Sequence, residues 1–448
     1  MWKSGQVNRF PVLYKSLQEE SQMKKWIALL LCMIMVVSCC AACGTNKAAE
    51  TTAPAADTQT QAPDTGDAAA AEPVDIKIWH DGDETIMQTI ADQVNKQLAE
   101  DGITVTFEKK SGMPDQLKLY GNDPVNGPDM YLYAHDTLGT FVAMDILAPI
   151  TDVVDASVYA DDLPMTVQAG QLNGEQYLLP VYFETLVFLY NKDLWEGEIP
   201  TTTEGLYDYM LAHTDADAGI YAVVNQHSNA YNVAPFINGF GGYVLNEKGE
   251  PGLDNENTIA AVEYNKKFAA LQADGDYNTV TTLFNEGKAA AIIGGPWLVS
   301  GIEAAGINYG IISLNDFTLP NGNGLAPYSG VQSVGVLKTA VAEKKDALAK
   351  VLTALSSPEV GIDLANKSGC APANSKAYEN AEVASNEMIV AIQKTAATAQ
   401  PMPNIPEMNV MWGPAESFLT AVNKNGADVA QAAAEQQAAA EQAIADMQ

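Results

Sequence analysis

The chain is short of arginine. Among its 448 residues there is one, Arg9, and 24 basic residues in all stand against 56 acidic ones, for a formal charge of −32. After Arg9 no side chain can offer the planar fork that grips a phosphate or carboxylate with two parallel hydrogen bonds. Nucleic acid is excluded as a partner, because phosphate contacts need clustered Lys and Arg. An anionic small ligand is disfavoured on the same ground.

Cysteine is scarce where it would matter for folding. Of five cysteines, only Cys370 lies beyond residue 43, so the body of the chain is not a disulfide framework. The four histidines (His80, His135, His213 and His227) show no H-x-x-x-H or Cys spacing. The stretch "DGDETIMQT" starts like a calcium loop but lacks the later glycine and glutamate, so neither metal nor cofactor is expected. The glycine pairs in "GFGGY" and "IIGGPW" match no phosphate loop, and no G-x-S-x-G nucleophile motif occurs.

Only one long apolar run is present. From Met23, "MKKWIALLLCMIMVVSCCAACG" opens on two lysines and is apolar from Trp26 to Val37, too short to span a bilayer, and ends in small residues and cysteines. This is the pattern of a secretory signal with a lipoprotein cleavage site, with residues 1–22 an overextended start. The expected lipidated residue is Cys43, preceded by "CAA" and followed by glycine; Cys39, preceded by "VVS", is the alternative. Residues 1–43 are thus read as leader and 44–73, rich in Ala, Thr, Asp and Pro, as a disordered tether. The expected location is the extracellular face of the cell membrane.

The overall composition is that of an ordinary globular protein, with 47% apolar residues and room for two sizeable cores. "VDIKIWHDGDET", a helical stretch over Thr85 to Glu100, "ITVTFEK", a second helical stretch and "GPDMYLYAH" give strand, helix, strand, helix, strand. That order is the signature of a parallel sheet with crossover helices. In such sheets ligands sit beyond the carboxyl ends of strands, which puts Asp81, Asp83, His135 and Asp136 forward. A second block opens at "PVYFETLVFLYNKDLW", where Pro180 to Asn191 is strongly strand-forming, and "IYAVVNQ" and "AAAIIGGPW" add two more strands. The tail from Gly413 reads as one or two helices with Phe418, Leu419, Val422, Val429 and Ile444 on an apolar face. Two αβ blocks suggest two lobes and a cleft, with the number of crossings left open.

Acids and aromatics recur together at the strand ends, in "YAHDTLG", "VYFETL", "HSNAYNV", "GGPW" and "MNVMW". A neutral sugar asks for this mixture, because its ring faces stack on aromatic rings and its hydroxyls donate to carboxylates. Trp297 and Trp412 both follow proline-containing stretches, and "PMPNIPEMNVMW" reads as an irregular, stiff support that holds Trp412 at a cleft. Asp136 and Glu184 also form the obvious carboxylate pair for a glycosidase, the enzymatic alternative to simple binding.

From about Val74 to Ala445 the chain resembles the maltose/maltodextrin-binding proteins, the extracellular solute receptors of ATP-driven (ABC) sugar importers. The matching blocks are "GPDMYLYAHDTLGTF", "NGEQYLLPVYFETLVFLYNKDL", "NGFGGYVLNEKGE", "LFNEGKAAAIIGGPW" and "MPNIPEMNVMW", in the family's order. The resemblance implies an α/β, two-lobed periplasmic-binding-protein-like fold of type II, its hinge crossed three times and its ligand cleft between the lobes. Lobe 1 would comprise 74–182 and 333–384, and lobe 2 would comprise 183–332 and 385–448. It implies a monomeric, lipid-anchored receptor, not an enzyme, that passes maltodextrin to a membrane permease; another oligosaccharide on the same fold is the alternative. Trp412, Trp297 and Tyr231 would stack on sugar rings, with Tyr133 and Tyr277 at further aromatic positions, and Asp136, Glu184 and Asp83 would accept from hydroxyls. Asp81, Glu84, Asn229 and Glu416 stand at the edge of the implied site. Thr137, Glu84 and Glu416 take the place of basic residues and Asn229 that of a glutamate, so recognition would lean on carboxylates, amides and stacking.

Overall fold

The computed structural model describes residues 73–272 and 275–447. The expected leader, with Cys39 and Cys43, and all of the expected tether except Pro73 lie outside them. Strand β1 (Val74–His80) buries Ile76 and Ile78 completely, and helix α1 (Glu84–Leu98) comes after it. The helix starts where it does because the Asp83 carboxylate accepts hydrogen bonds from the backbone N–H groups of Thr85 and Ile86. Ile86, Ile90, Val94 and Leu98, four residues apart, line its buried face. Strands β2 (Ile103–Lys109) and β3 (Met130–Ala134) flank β1, both parallel to it, as the alternating order requires.

After helix α2 (Leu138–Ala143) come β4 (Leu178–Thr185) and β5 (Val187–Asn191), separated by one residue. Strand β6 (Tyr221–Val224), helix α3 (Ala230–Gly239), strand β7 (Ala289–Gly294), helix α4 (Val299–Ala304) and strand β8 (Tyr309–Ser313) complete the middle of the chain. Strand β9 (Tyr328–Leu337) leads into helix α5 (Lys338–Leu355), and two short strands, β10 (Ala371–Pro372) and β11 (Gln400–Pro401), precede helices α6 (Met408–Asn423) and α7 (Val429–Ala445). The first sheet runs β10-β4-β9-β3-β1-β2, with β11 also on β9; the second runs β8-β5-β7-β6.

Strand β9 is the axis of the first sheet, antiparallel to β3 on one side and β4 on the other. Gly335 is required there, since a Cβ would lie 2.3 Å from the ring of fully buried Tyr131. The run Pro180 to Asn191, continuous in the sequence, is divided at Leu186: β4 pairs with β9, whereas β5 pairs with β7 and β8 of the other sheet. Both halves are strand-forming and largely buried, and the polar residues Glu184 and Thr185 that close β4 stand directly before the break. The Thr185 hydroxyl donates to the Tyr328 carbonyl at 2.7 Å, joining this passage between sheets to the one by which the chain returns. The third passage runs from β11 to α6.

The two largest apolar clusters lie one on each sheet. One lies about β1, β2, α1 and α5 and includes Ile78, Val94, Leu348 and Leu352; the other packs Phe236 and Phe268 against Phe418 and Leu419 of α6. A third joins Phe183 and Val331 of the first sheet to Leu189 and Ile292 of the second. The tail is two helices, with Phe418, Leu419, Val422 and Val429 buried and Ile444 packed against them. Among the described residues no helix is long and apolar enough to cross a membrane.

Candidate ligand-binding cleft

Two adjoining cavities open where the strand ends of the first sheet meet the second. One, of about 310 Å³, is lined by Tyr133, Ala134, Asp136, Glu184, Gly330 and Gln332 together with Tyr231, Trp297, Met402 and Trp412. The other, of about 320 Å³, shares Glu184, Trp297 and Gln332 and adds Asp81, Asp83, Lys109, Tyr182 and Tyr277. The shared residues make them one cleft.

Local structure explains each position. Asp81 and Asp83 lie just beyond the carboxyl end of β1, Asp136 sits in the single 3₁₀ turn (His135–Thr137) after β3, and Glu184 is next to last in β4. Trp297 lies in the 3₁₀ turn Pro296–Leu298 beyond β7. Its ring folds back over Gly295, where a Cβ would meet it at 2.1 Å, so the residue before "PW" has to be glycine. A series of aromatic contacts links the two tryptophans of the cleft through buried Tyr328: Trp297 to Tyr231 with centroids 6.4 Å apart, Tyr231 to Tyr328 at 6.4 Å, and Tyr328 to Trp412 at 6.1 Å edge-to-face.

Two expectations need correction. Trp412 is not on an irregular segment; it lies in the second turn of α6, and only residues 402–407 before the helix are irregular. A helix can begin there because the prolines all precede it, apart from Pro414, which forfeits one backbone hydrogen bond early in the helix. His135 does not face the cleft. It is buried, with the Val331 N–H donating to Nδ1 at 3.1 Å and Nε2 donating to the Met402 carbonyl at 3.0 Å. These partners fix the neutral tautomer with hydrogen on Nε2, and burial holds its pKa down at about 4.

The proline-rich segment is stitched down from several sides. Pro401 belongs to β11 on β9, the Gly139 N–H donates to the Asn404 carbonyl at 2.9 Å, and the Asn404 amide donates to the carbonyls of Ala169 and Gln171. A Cβ on Gly139 would lie 2.3 Å from the Pro406 nitrogen, so the loop rests directly on backbone.

The charges are unusual. Asp136 is buried, and its Oδ2 accepts from Trp412 Nε1 at 3.0 Å; burial pushes its carboxyl up to about 6 although this hydrogen bond pulls the other way. Glu184 Oε1 accepts from the Gln332 amide at 2.8 Å, and burial raises that carboxyl to about 7. Among the described residues neither has a Lys partner within ion-pair distance. Asp83, besides capping α1, accepts from the Ser300 hydroxyl of α4 at 3.2 Å, so its oxygens are already engaged.

Of the expected site residues, Tyr133, Asp136, Glu184, Tyr231, Trp297 and Trp412 line the first cavity, and Asp81, Asp83 and Tyr277 the second. Glu84 is exposed, 3.9 Å from Lys109. Asn229 caps α3 and donates to Glu416 at 2.7 Å, and neither residue lines either of the two cavities. Sequence reasoning missed Gln332 and Met402. A signal for Gln332 existed: it is the lone amide in the buried strand "YSGVQSVGVL". Among the described residues no His, Cys, Asp and Glu cluster could hold a metal ion.

Two sheet-centred lobes around a cleft of aromatics and carboxylates define a two-lobed solute-binding protein of type II. The chain belongs to the family described as bacterial extracellular solute-binding protein, whose model matches residues 89–391. It is 29% identical over 362 residues to a maltotriose-binding protein of Pyrococcus abyssi (strain GE5 / Orsay), covering 78% of each chain. It is 30% identical over 385 residues to a galactooligosaccharide-binding protein of Bacillus subtilis (strain 168), covering 80% of this chain and 86% of that one. The crystal structure of a cyclo/maltodextrin-binding protein complexed with maltotetraose superposes with a TM-score of 0.70 at 24% identity, over 84% of this chain and 98% of that one, which shows the fold alone. The protein is a binding protein and not an enzyme, which overturns the glycosidase alternative for Asp136 and Glu184.

Burial of ionised Glu184 costs the ligand-free fold stability. Its folded pKa is raised, so the folded state holds the extra proton between the ordinary glutamate value and about 7, and stability falls as pH rises through that window. Glu184→Gln keeps an acceptor for Gln332 and should raise the unfolding free energy by on the order of 1–2 kcal/mol at about pH 8, with the gain gone near pH 5. Thermal unfolding at both pH values checks this; an equal effect at both would contradict it.

Proposed function

We propose that this chain is a lipid-anchored receptor for α-linked gluco-oligosaccharides that delivers its ligand to the permease of an ABC importer. The observation that carries the reading is the cleft itself, where Trp297, Tyr231 and Trp412 stand beside Asp136 and Glu184. Aromatic faces suit the apolar sides of a sugar ring, and carboxylates suit its hydroxyls. Tyr133, Tyr277, Asp81 and Asp83 extend the same surface. The maltotriose-binding relative favours glucans, and the anchor rests on the signal ending at Cys43.

We take the lobes at the expected bounds, 74–182 and 333–384 against 183–332 and 385–448. The strands, however, change sheet at Leu186, ahead of Tyr328 and after Pro401, so that residues 183–185, 328–332 and 400–401 belong with the sheet of lobe 1. The hydrogen bonds Trp412–Asp136 and Ser300–Asp83 each join residues of different lobes across the cleft. A sugar touching both lobes shifts the equilibrium toward closure by its difference in affinity for the two states. The receptor acts as a monomer. A galacto-oligosaccharide is the second reading, favoured by the 30% identity to the relative from B. subtilis.

Tryptophan fluorescence should respond saturably to maltotriose and maltoheptaose and not to cellotriose. A response to galacto-oligosaccharides alone would select the second reading, and none at all would sink both. Trp412→Ala should weaken malto-oligosaccharide binding by about 1–3 kcal/mol, as truncation of a buried aromatic anchor does; calorimetry showing unchanged affinity would remove Trp412 from the site. Cys43→Ser should abolish labelling of the chain by a fatty-acid probe. Labelling that persists there but is lost in the Cys39→Ser/Cys43→Ser double variant would move the anchor to Cys39, and labelling unchanged in the double variant would overturn both assignments.

A further inference from the structure

We infer that Gln332 is a specificity-determining residue of the cleft, a fixed donor to the ring and glycosidic oxygens of a bound saccharide; this rests on the oligosaccharide reading of the site. Gln332, with Glu184 and Trp297, belongs to both cavities, so a ligand filling the two passes across it. Hydroxyls can donate to carboxylates, but the ring and linkage oxygens of a saccharide can only accept. Ionised Asp136 and Glu184 cannot serve them, and the N–H of Trp412 is already given to Asp136. Of the donors that remain, among them the Trp297 indole, the tyrosine hydroxyls and Lys109, Gln332 is the one held on a strand that both cavities share. The Gln332 amide spends one hydrogen on Glu184 at 2.8 Å and keeps a second N–H and its carbonyl oxygen.

The side chain is held where this role needs it. Gln332 is paired on both sides within the first sheet, to Ala134 of β3 and Tyr182 of β4. The register of β9 against β4 shifts between Gln332 and Ser333, an irregularity of the kind that re-aims a side chain. Glu184 faces Gly330, so Gln332 is its diagonal neighbour on the same face and the two polar ends meet without distortion. A strand at the centre of a sheet holds such a group more rigidly than a loop would.

The test compares the unaltered chain with Gln332→Leu and Gln332→Glu in calorimetric titrations with maltotriose, at about pH 5 and about pH 8, with affinity read as a ratio to the unaltered chain at each pH. Circular dichroism melts establish that each variant is folded. The leucine variant should bind about tenfold more weakly at both pH values, the loss expected for one hydrogen bond in a desolvated site. The glutamate variant should be about tenfold weaker near pH 8 yet within about twofold near pH 5, because a carboxyl set beside Glu184 takes up a proton there and becomes a donor again. A purely structural role would give the glutamate variant the same ratio at both pH values, and that result overturns the inference. So does full affinity in the leucine variant. Failure of the unaltered chain to bind any sugar overturns the oligosaccharide reading itself, and the inference with it.

Discussion

A buried carboxylate, Asp136, and a half-buried one, Glu184, set in a cleft without a cationic partner among the described residues, are the constraint on which the rest of this structure turns. An ionised acid loses more on leaving water than a single hydrogen bond returns. Asp136 receives one N–H, from Trp412, and Glu184 one, from Gln332, and both carboxyls stand well above their ordinary range as a result of burial. Their remaining lone pairs are what a hydroxyl-bearing ligand would satisfy. A chain with its only arginine at position 9 cannot relieve these acids internally by the usual bidentate pairing, so the energy they cost is held available for binding.

The framework keeps those acids in place through backbone contacts. His135 is central although it lines neither cavity. Accepting from Val331 and donating to Met402, it joins the turn carrying Asp136, the axial strand β9 and the segment that leads to Trp412. Gly139 lets residues 404–406 lie against α2, and β11 adds its short pairing to β9. Trp412 thus arrives opposite Asp136 because three elements, far apart in sequence, share one histidine and one glycine.

Much of this is legible in the sequence, and the remainder is hidden for physical reasons. The parallel β1–β3 unit comes from strand–helix alternation, and the positions of Asp81, Asp83 and Asp136 come from the rule about strand ends. The division at Leu186 is concealed because strand-forming residues run on both sides of it, and the polar pair Glu184 and Thr185 just before it reads as part of a site, not as a break. Around Trp412 the density of proline dominates the local pattern and argues for an irregular segment, yet the prolines stop short of the helix that carries it. A strand end predicts the position of His135 and not the direction of its side chain, which turns into the framework instead of the cleft. Gln332 hides as one residue in a buried strand, where an amide is costly unless something pairs with it. Asn229 and Glu416, expected at the edge of the site, engage each other instead, a pairing across 187 residues that no local pattern could reveal.

The most direct measurement is the affinity of maltotriose for the unaltered chain as a function of pH. Carboxylates that accept hydrogen bonds from sugar hydroxyls do so best when ionised, and Asp136 and Glu184 titrate at about 6 and about 7. Binding should therefore tighten as pH rises from about 5 to about 8, with most of the change between about 6 and about 7. An affinity that stays flat across that range, or weakens as the acids ionise, would contradict the role given to these two carboxylates.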